Sequence, residues 1–468
     1  MRRSQTLFLY CIQQCAAVLI GMSLLTACAG QNVAPQQTTA QQSQQSDVSS
    51  ASPNALDVLA AQEEGPPLLP NQLIPGLAGE LAQLPEQGVD RLVRVGLLVP
   101  LTGPSAPVGQ ALLNAAQMAL FDVADERFVL QVYDTQGVPA GAQAAAALAV
   151  SQGVQLILGP LFSAEVTAAA PDAAAAGVNI IAFSTDPAVA SSRVFVIGFM
   201  IDEQIRHIIE YAGAQGYRTL AVLAPDSAYG KAVVDAMAHH VPRTGGLISD
   251  VAYYNTSGSD LSAVVRQLAN FDQRRAELES QKAKLEGKED RLSQFTFDRL
   301  ELLDTVGEVT FDAILLPEQG VRLRQVATLL PFFDVDPEHV QLLGTMLWNT
   351  PDLGREPVMV GGLYPAPPAD SARRFSARYR ELQGLSPPPI APHGYDAVAL
   401  ASVLAQSGMD APFSAKAITT ASGFAGIDGI LRFTPDGLAK RGFAIMEVTR
   451  DGAVEVNPAP TIFDAALF

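Results

Sequence analysis

Residues 92–122, LVRVGLLVPLTGPSAPVGQALLNAAQMALFD, place a short apolar run, a loop with glycine and proline, and a helical apolar face in immediate succession. Val93, Val95, Leu97, Leu98 and Val99 suit a parallel strand covered on both faces. Thr102-Gly103-Pro104-Ser105 interrupts the run, and Ala111, Leu112, Ala115, Ala116, Met118 and Ala119 then recur at helical spacing. This is a βα unit. In an open α/β sheet the loop of such a unit lies at the carboxyl edge of the strands, where backbone N–H groups and a helix N-terminus receive polar ligands.

The alternation continues downstream. Strands are expected at Phe128 to Tyr133, Val154 to Leu158 and Val178 to Ala182, separated by alanine-rich helices. Their ends carry small hydroxyl residues: Ser105 after the first strand, Ser163 after Gly159-Pro160, and Ser184 and Thr185 after the next. Singly, each is a turn or cap residue; together they form a line of donors along one edge. After Val194 to Phe199 the pattern starts again, with strands at Thr219 to Leu223, Leu247 to Tyr254, Phe311 to Leu316 and Gln341 to Gly344. The repeat predicts two similar α/β lobes with a binding cleft between them.

Upstream, Arg2 and Arg3 lead an apolar stretch that reads as a secretion signal over residues 1–27. Leu25-Thr26-Ala27-Cys28 resembles the lipobox of bacterial lipoproteins, which implies acylation of Cys28 and attachment through lipid alone. Ala29, where aspartate would retain such a protein at the inner membrane, implies the outer membrane. Residues 28–90 are rich in Gln, Ser, Ala and Pro and are expected to form a tether with a reach of roughly 40–50 Å. The folded part is expected over residues 91–456, followed by a tail over 457–468.

With 48 acidic and 30 basic residues the formal charge is −18, which disfavours nucleic acid as a partner. No HExxH, GxSxG, CxxC or P-loop motif occurs, and the five histidines lack ligand spacing. No enzymatic activity, cofactor or metal is therefore expected. His239-His240 reads as a solvated helix end, and Asp134 and Asp186 as local turn carboxylates.

The segment over 271–307 is dense in charge, with Phe271, Leu278, Leu285 and Leu292 at seven-residue intervals. With one apolar position per heptad a free coiled coil is disfavoured, and a helical hairpin bending near Gly287 is expected. Its charges and leucines suit either a solvated decoration or an arm that binds a partner or a second copy.

VRVGLLVPLTGPSAPVGQ, YDTQG, LILGPLFS, GVNIIAFSTDP and LAVLAPDSAYGKAV, in that order, resemble the type I periplasmic-binding proteins of the leucine/isoleucine/valine-binding kind. The resemblance implies two Rossmann-like lobes with parallel sheets joined by a three-segment hinge. It also implies that Ser163, Ser184 and Thr185 grip a ligand carboxylate and that Tyr229 closes from the second lobe. Those binders hold the ligand ammonium with an acidic residue near Met346, and this chain has none there, which disfavours free α-amino acids unless Glu318 or Asp226, which also follow strands, substitutes. The lipobox, LLVPLTGP and the insert before FDAILLP look more like the penicillin-binding-protein activator lipoproteins. Two roles follow: an activator docking to a penicillin-binding protein in peptidoglycan synthesis, or the ligand-capturing component that serves an ABC permease for amino-acid-like molecules.

Overall fold

The computed structural model describes residues 92–463; the signal, Cys28 and the tether lie outside them, as do the last five residues. The first lobe is built on strands β1 (Val93–Val99), β2 (Phe128–Asp134), β3 (Leu156–Leu158), β4 (Asn179–Ala182) and β5 (Val194–Val196). They form one parallel sheet in the order β2-β1-β3-β4-β5. Between them run α1 (Ala106–Val123), α2 (Pro139–Ser151) and α3 (Ser163–Ala175). Val95, Leu97, Leu98 and Val99 are fully buried, as a strand covered on both faces requires. Gly109 is obligatory in α1, because a Cβ there would lie 1.8 Å from the Pro100 carbonyl oxygen.

The chain crosses to the second lobe at Ile197–Met200 and enters α4 (Ile201–Ala214). Strands β6 (Thr219–Pro225), β7 (Leu247–Tyr254), β8 (Ala313–Leu315), β9 (Gln341–Leu343) and β10 (Leu363–Ala366) follow, with α5 (Ala228–His240), α6 (Leu261–Leu268), α7 (Phe271–Leu285), α8 (Arg291–Glu301) and α9 (Gly320–Phe332) among them. Their parallel order is β7-β6-β8-β9-β10, the same second-first-third-fourth-fifth pattern as in the first lobe. The repeat inferred from the sequence is thus a repeat of topology.

A second crossing after β10 returns the chain to the first lobe through α10 (Ala369–Gln383) and α11 (Ala391–Gln406). Helix α11 packs on α1 so closely that a Cβ at Gly394 would stand 2.3 Å from the Leu112 carbonyl oxygen. After the short helix α12 (Ala415–Ile418), strands β11 (Phe424–Gly426), β12 (Gly429–Phe433) and β13 (Ala439–Arg441) form a small antiparallel sheet. The Val196 N–H donates to the Gly437 carbonyl, fastening it to β5. The third crossing, at Gly442–Phe443, leads to β14 (Ala444–Thr449) and β15 (Gly452–Asn457), which extend the second sheet antiparallel beside β10. Three crossings limit relative motion of the lobes to opening and closing.

Helices α7 and α8 form a hairpin that turns at Gly287, whose φ is +76°. Arg274 roots it: its guanidinium donates to the Gly307 and Asp334 carbonyls and pairs with the Asp334 carboxylate at 3.1 Å. Phe271 packs edge-on against Phe333. Of the seven-residue series, Phe271 and Leu278 are buried and Leu285 is half-buried, but Leu292 is exposed and Leu300 takes the inward position on α8. The turn at Gly287 breaks the register that a continuous helix would have kept.

His240 is buried and pairs with Asp202 at 2.8 Å, which corrects the expectation of a solvated end; only a fold that packs α5 on α4 brings the two together. Among the described residues no helix is long and apolar enough to cross a membrane, and no cluster of His, Cys, Asp and Glu is arranged to hold a metal ion.

Candidate functional site

Because β1, β3 and β4 are neighbouring parallel strands, Ser105, Ser163, Ser184 and Thr185 all follow the carboxyl ends of adjacent strands. The loop after β1 is tied to that after β2 by Asp134, whose carboxylate accepts from the N–H groups of Leu101 and Gln136 and from the Thr102 hydroxyl at 2.6 Å. Burial works to raise its pKa, but these hydrogen bonds outweigh it and hold the carboxyl below its ordinary value. Thr102 is therefore committed to the turn. Ser184 is partly committed, since its Oγ accepts from the Asp186 N–H at 3.1 Å. The hydroxyls of Ser105, Ser163 and Thr185 make no hydrogen bond among the described residues and remain open to a ligand. Ser163 opens α3, whose N-terminal dipole favours an anion at that point.

The opposing rim is satisfied within itself. Tyr229, in the first turn of α5, shares a hydrogen bond of 2.9 Å with Thr345, and burial pushes its pKa up to about 12. The Met346 N–H donates to Gln204 of α4 at 3.1 Å. Asp226 pairs with Lys231 at 2.8 Å, while Glu318 accepts from the Tyr254 hydroxyl and the Gln319 N–H. Trp348, the single tryptophan, is buried and donates to the Leu316 carbonyl. It is a core residue that braces the loop carrying Thr345 and Met346. One cavity of about 460 Å³ is lined in part by Thr185, Asp202, Glu203, Asp235, Asp436 and Lys440, and by none of the rim residues just named. Of the sequence-predicted site residues only Thr185 lines it.

A group that the sequence reading did not single out joins the crossings. Arg441, 1% exposed, donates to the Ile197 carbonyl at 2.7 Å and lies 4.9 Å from the Phe199 ring centroid. Phe199 meets His393 edge-on, and His393 approaches the Asp428 carboxylate at 3.1 Å. Asp396 accepts from the Ile427 and Asp428 N–H groups. Nearby, the buried Glu203 pairs with Arg206 and Lys440, and His207 accepts from the Phe443 N–H. The signal lay in GYDA at 394–397 and GIDG at 426–429, but nothing local tells a hinge carboxylate from a turn carboxylate.

This cluster has a pH signature. Burial, and then the Asp428 charge, push the Asp396 carboxyl up to about 7, against the pull of Arg441 and two backbone N–H groups. Between pH 3.8 and about 7 the folded chain thus holds a proton that the unfolded chain has released. The stability from this group is full at the low end, falls as pH rises through the window, and is level above it. Asn at this position stays neutral, so the Asp396→Asn variant should gain thermal stability relative to the parent as buffers run from about pH 4.5 to about 7.5. A difference in melting temperature that does not vary with pH would contradict the assignment.

Residues 92–273 match the family model described as periplasmic binding protein. Among curated proteins, an uncharacterized protein of Rickettsia prowazekii, RP748, is 26% identical over 178 residues, 38% of this chain and 47% of the relative. The matched stretch thus spans about half of that relative. Among solved structures, an ABC-type branched-chain amino acid transporter from Rhodopseudomonas palustris superposes with a TM-score of 0.59 at 19% identity, covering 78% of this chain and 95% of that one. A solute binding protein of an ABC transporter from another strain of that species, in complex with 3,4-dihydroxybenzoic acid, gives 0.53 at 19% identity, covering 80% and 97%.

Proposed function

We propose that this chain, whose folded part has the type I periplasmic-binding-protein fold, is a non-enzymatic, lipid-anchored periplasmic protein that activates a peptidoglycan synthase, a penicillin-binding protein, by docking to it. The observation that carries this reading is the state of the second-lobe rim. By the resemblance the leucine-binding proteins place an acidic residue near Met346, and of the carboxylates that follow neighbouring strands Asp226 is already neutralised by Lys231, while Glu318 is held in a hydrogen bond with the Tyr254 hydroxyl. An ammonium entering beside Met346 would have to compete with the Tyr254 hydroxyl for Glu318 and with Lys231 for Asp226. The lipobox-like sequence at Cys28 and the tether favour a protein reaching from a membrane toward a partner.

The open hydroxyls of Ser105, Ser163 and Thr185 favour a second reading, capture of a small carboxylated solute for an ABC permease. A solute with a carboxylate but no ammonium would suit both rims; one of the structural neighbours is in complex with 3,4-dihydroxybenzoic acid, a ligand of that kind.

Thermal-shift measurements separate these readings. A ligand at about a hundred times its Kd adds about 2.7 kcal/mol to stability, which moves the melting temperature by several degrees. The docking reading expects no such shift with any of the twenty amino acids at millimolar concentration. A shift with leucine, isoleucine or valine that Ser163→Ala abolishes would establish the importer reading instead.

A further inference from the structure

The cavity of about 460 Å³ is a groove between the two lobes, beside the first crossing. One wall comes from the loop after β4, with Thr185 and Pro187, and from the turn between β12 and β13, with Asp436 and Leu438. The other comes from the start of α4, with Asp202, and from α5, with Ala232 and Asp235. Its volume falls within the roughly 300–1,000 Å³ of ligand pockets.

Floor and mouth differ in chemistry. Met200, Ala236 and Ala439 line the groove and are buried, whereas Asp202, Asp235 and Asp436 line it and are exposed. An apolar floor is thus rimmed by carboxylates from both lobes, Asp436 from the first and Asp202 and Asp235 from the second. The cation among the lining residues, Lys440, is matched with Glu203 at 2.7 Å, so that pair adds no net charge. Asp202 is bound to His240 at 2.8 Å, while Asp235 and Asp436 have no ion pair or side-chain hydrogen bond among the described residues. One exposed carboxylate without a partner is ordinary. Three of them around one buried apolar floor concentrate a negative field where the walls exclude water.

Charge and shape together specify an occupant. A lone cation would leave the floor uncovered, and a lone apolar group would leave the carboxylates unmatched. A chain segment with an apolar residue between two arginines or lysines satisfies both. Its apolar side chain meets Met200 and Ala236, and its basic heads meet Asp436 on one lobe and Asp235 on the other, with their aliphatic stems along the walls.

We propose that this groove docks a basic segment of a partner protein, an apolar residue flanked by two arginines or lysines. The proposal rests on the docking reading for why a protein segment comes here. It makes no use of Ser105, Ser163 or Tyr229, none of which lines the groove. Because both lobes supply carboxylates, a bound segment also ties one lobe to the other.

Fluorescence anisotropy of a labelled peptide, acetyl-Gly-Arg-Leu-Arg-Gly-amide, against the purified chain tests the proposal. Saturable one-to-one binding with a Kd below about 1 mM is expected, weakened by salt. Asp235→Lys and Asp436→Lys should each weaken it roughly fivefold or more, by losing an attraction and adding a repulsion. Ala232→Leu puts a good helix former at a half-buried position on the groove wall and should weaken binding similarly by filling the space. Two controls separate the groove from the overall charge of −18. Glu301→Lys makes the same charge change at an exposed position outside the groove and should leave the Kd within about twofold. The peptide with serine in place of leucine should bind roughly fivefold more weakly, for want of apolar burial. Absence of saturable binding, or an equal loss with Glu301→Lys, overturns the proposal. Cadaverine binding as tightly as the peptide and lost in the same variants would assign the groove to a free diamine and overturn it too. The assay contains no peptidoglycan synthase, so its failure is distinct from failure of the docking reading, which shows as an unchanged rate of glycan polymerisation.

Discussion

Arg441→Ala should destabilise the folded part by about 3–5 kcal/mol, the usual cost of removing one member of a buried charge group. Its guanidinium holds the Ile197 carbonyl and lies over Phe199, both on the first crossing, while Arg441 itself ends β13 next to the third. Alanine would leave Asp396 and Asp428 buried beside each other without a positive charge. Arg441→Met fills much of the volume but leaves the same imbalance, so it should recover only part of the loss. Adding Asp428→Asn to Arg441→Met removes one negative charge and should recover more. Denaturant midpoints at one fixed pH near 8 check this. A loss below about 1 kcal/mol for Arg441→Ala would mean that the crossings are held by packing alone.

Trp348→Ala should cost a similar amount, about 3–5 kcal/mol, through the cavity left by a buried indole and the lost hydrogen bond to Leu316. The indole is enclosed by two glycines. A Cβ on Gly344 would lie 2.1 Å from the ring, and one on Gly362 would lie 2.8 Å from it. Gly344 does not have a positive φ, so Gly344→Ala is a steric test alone and should cost about 3 kcal/mol by overpacking. Since Thr345 and Met346 follow directly, both variants should also loosen the loop that holds Tyr229. The measurements are urea unfolding by circular dichroism, which does not depend on the lost fluorophore, and protection of the loop amides in hydrogen exchange. A Trp348→Ala chain that unfolds at the parent's midpoint would show that the indole does not brace this edge.

The architecture was legible because it depends on short-range pattern. VRVGLLV, LIL and NIIA are apolar runs without alternation, and each is followed by a loop rich in glycine, proline or hydroxyl residues and then by helical spacing. The carboxyl ends of such strands share an edge by topology, so the alignment of Ser105, Ser163, Ser184 and Thr185 needed no coordinates. What the sequence did not disclose depends on pairings far apart in the chain. The engagement of Tyr229 with Thr345, of His240 with Asp202, and of Arg441 with Ile197 joins residues separated by 116, 38 and 244 positions. No local pattern encodes such a partner. The insert was half-legible: composition implied a hairpin, but equal seven-residue spacing could not reveal that the turn at Gly287 rotates Leu292 out to solvent and Leu300 in.

Tyr229 illustrates why a motif and its environment must be read together. The resemblance alone would have the tyrosine of the AYG sequence close over a ligand, yet here the hydroxyl is engaged by Thr345 and the residue after Thr345, Met346, offers no charge. A ligand would have to exchange that internal hydrogen bond for a new one, with little net gain. The hydroxyls of Ser105, Ser163 and Thr185 impose no such cost, so the two rims differ in readiness.

The rate of glycan-strand polymerisation by a purified penicillin-binding protein of the same cell, with and without this chain, tests the docking role most directly. The account predicts a severalfold, saturable rise in rate that does not require any amino acid. An unchanged rate at saturating concentrations of the chain would contradict it.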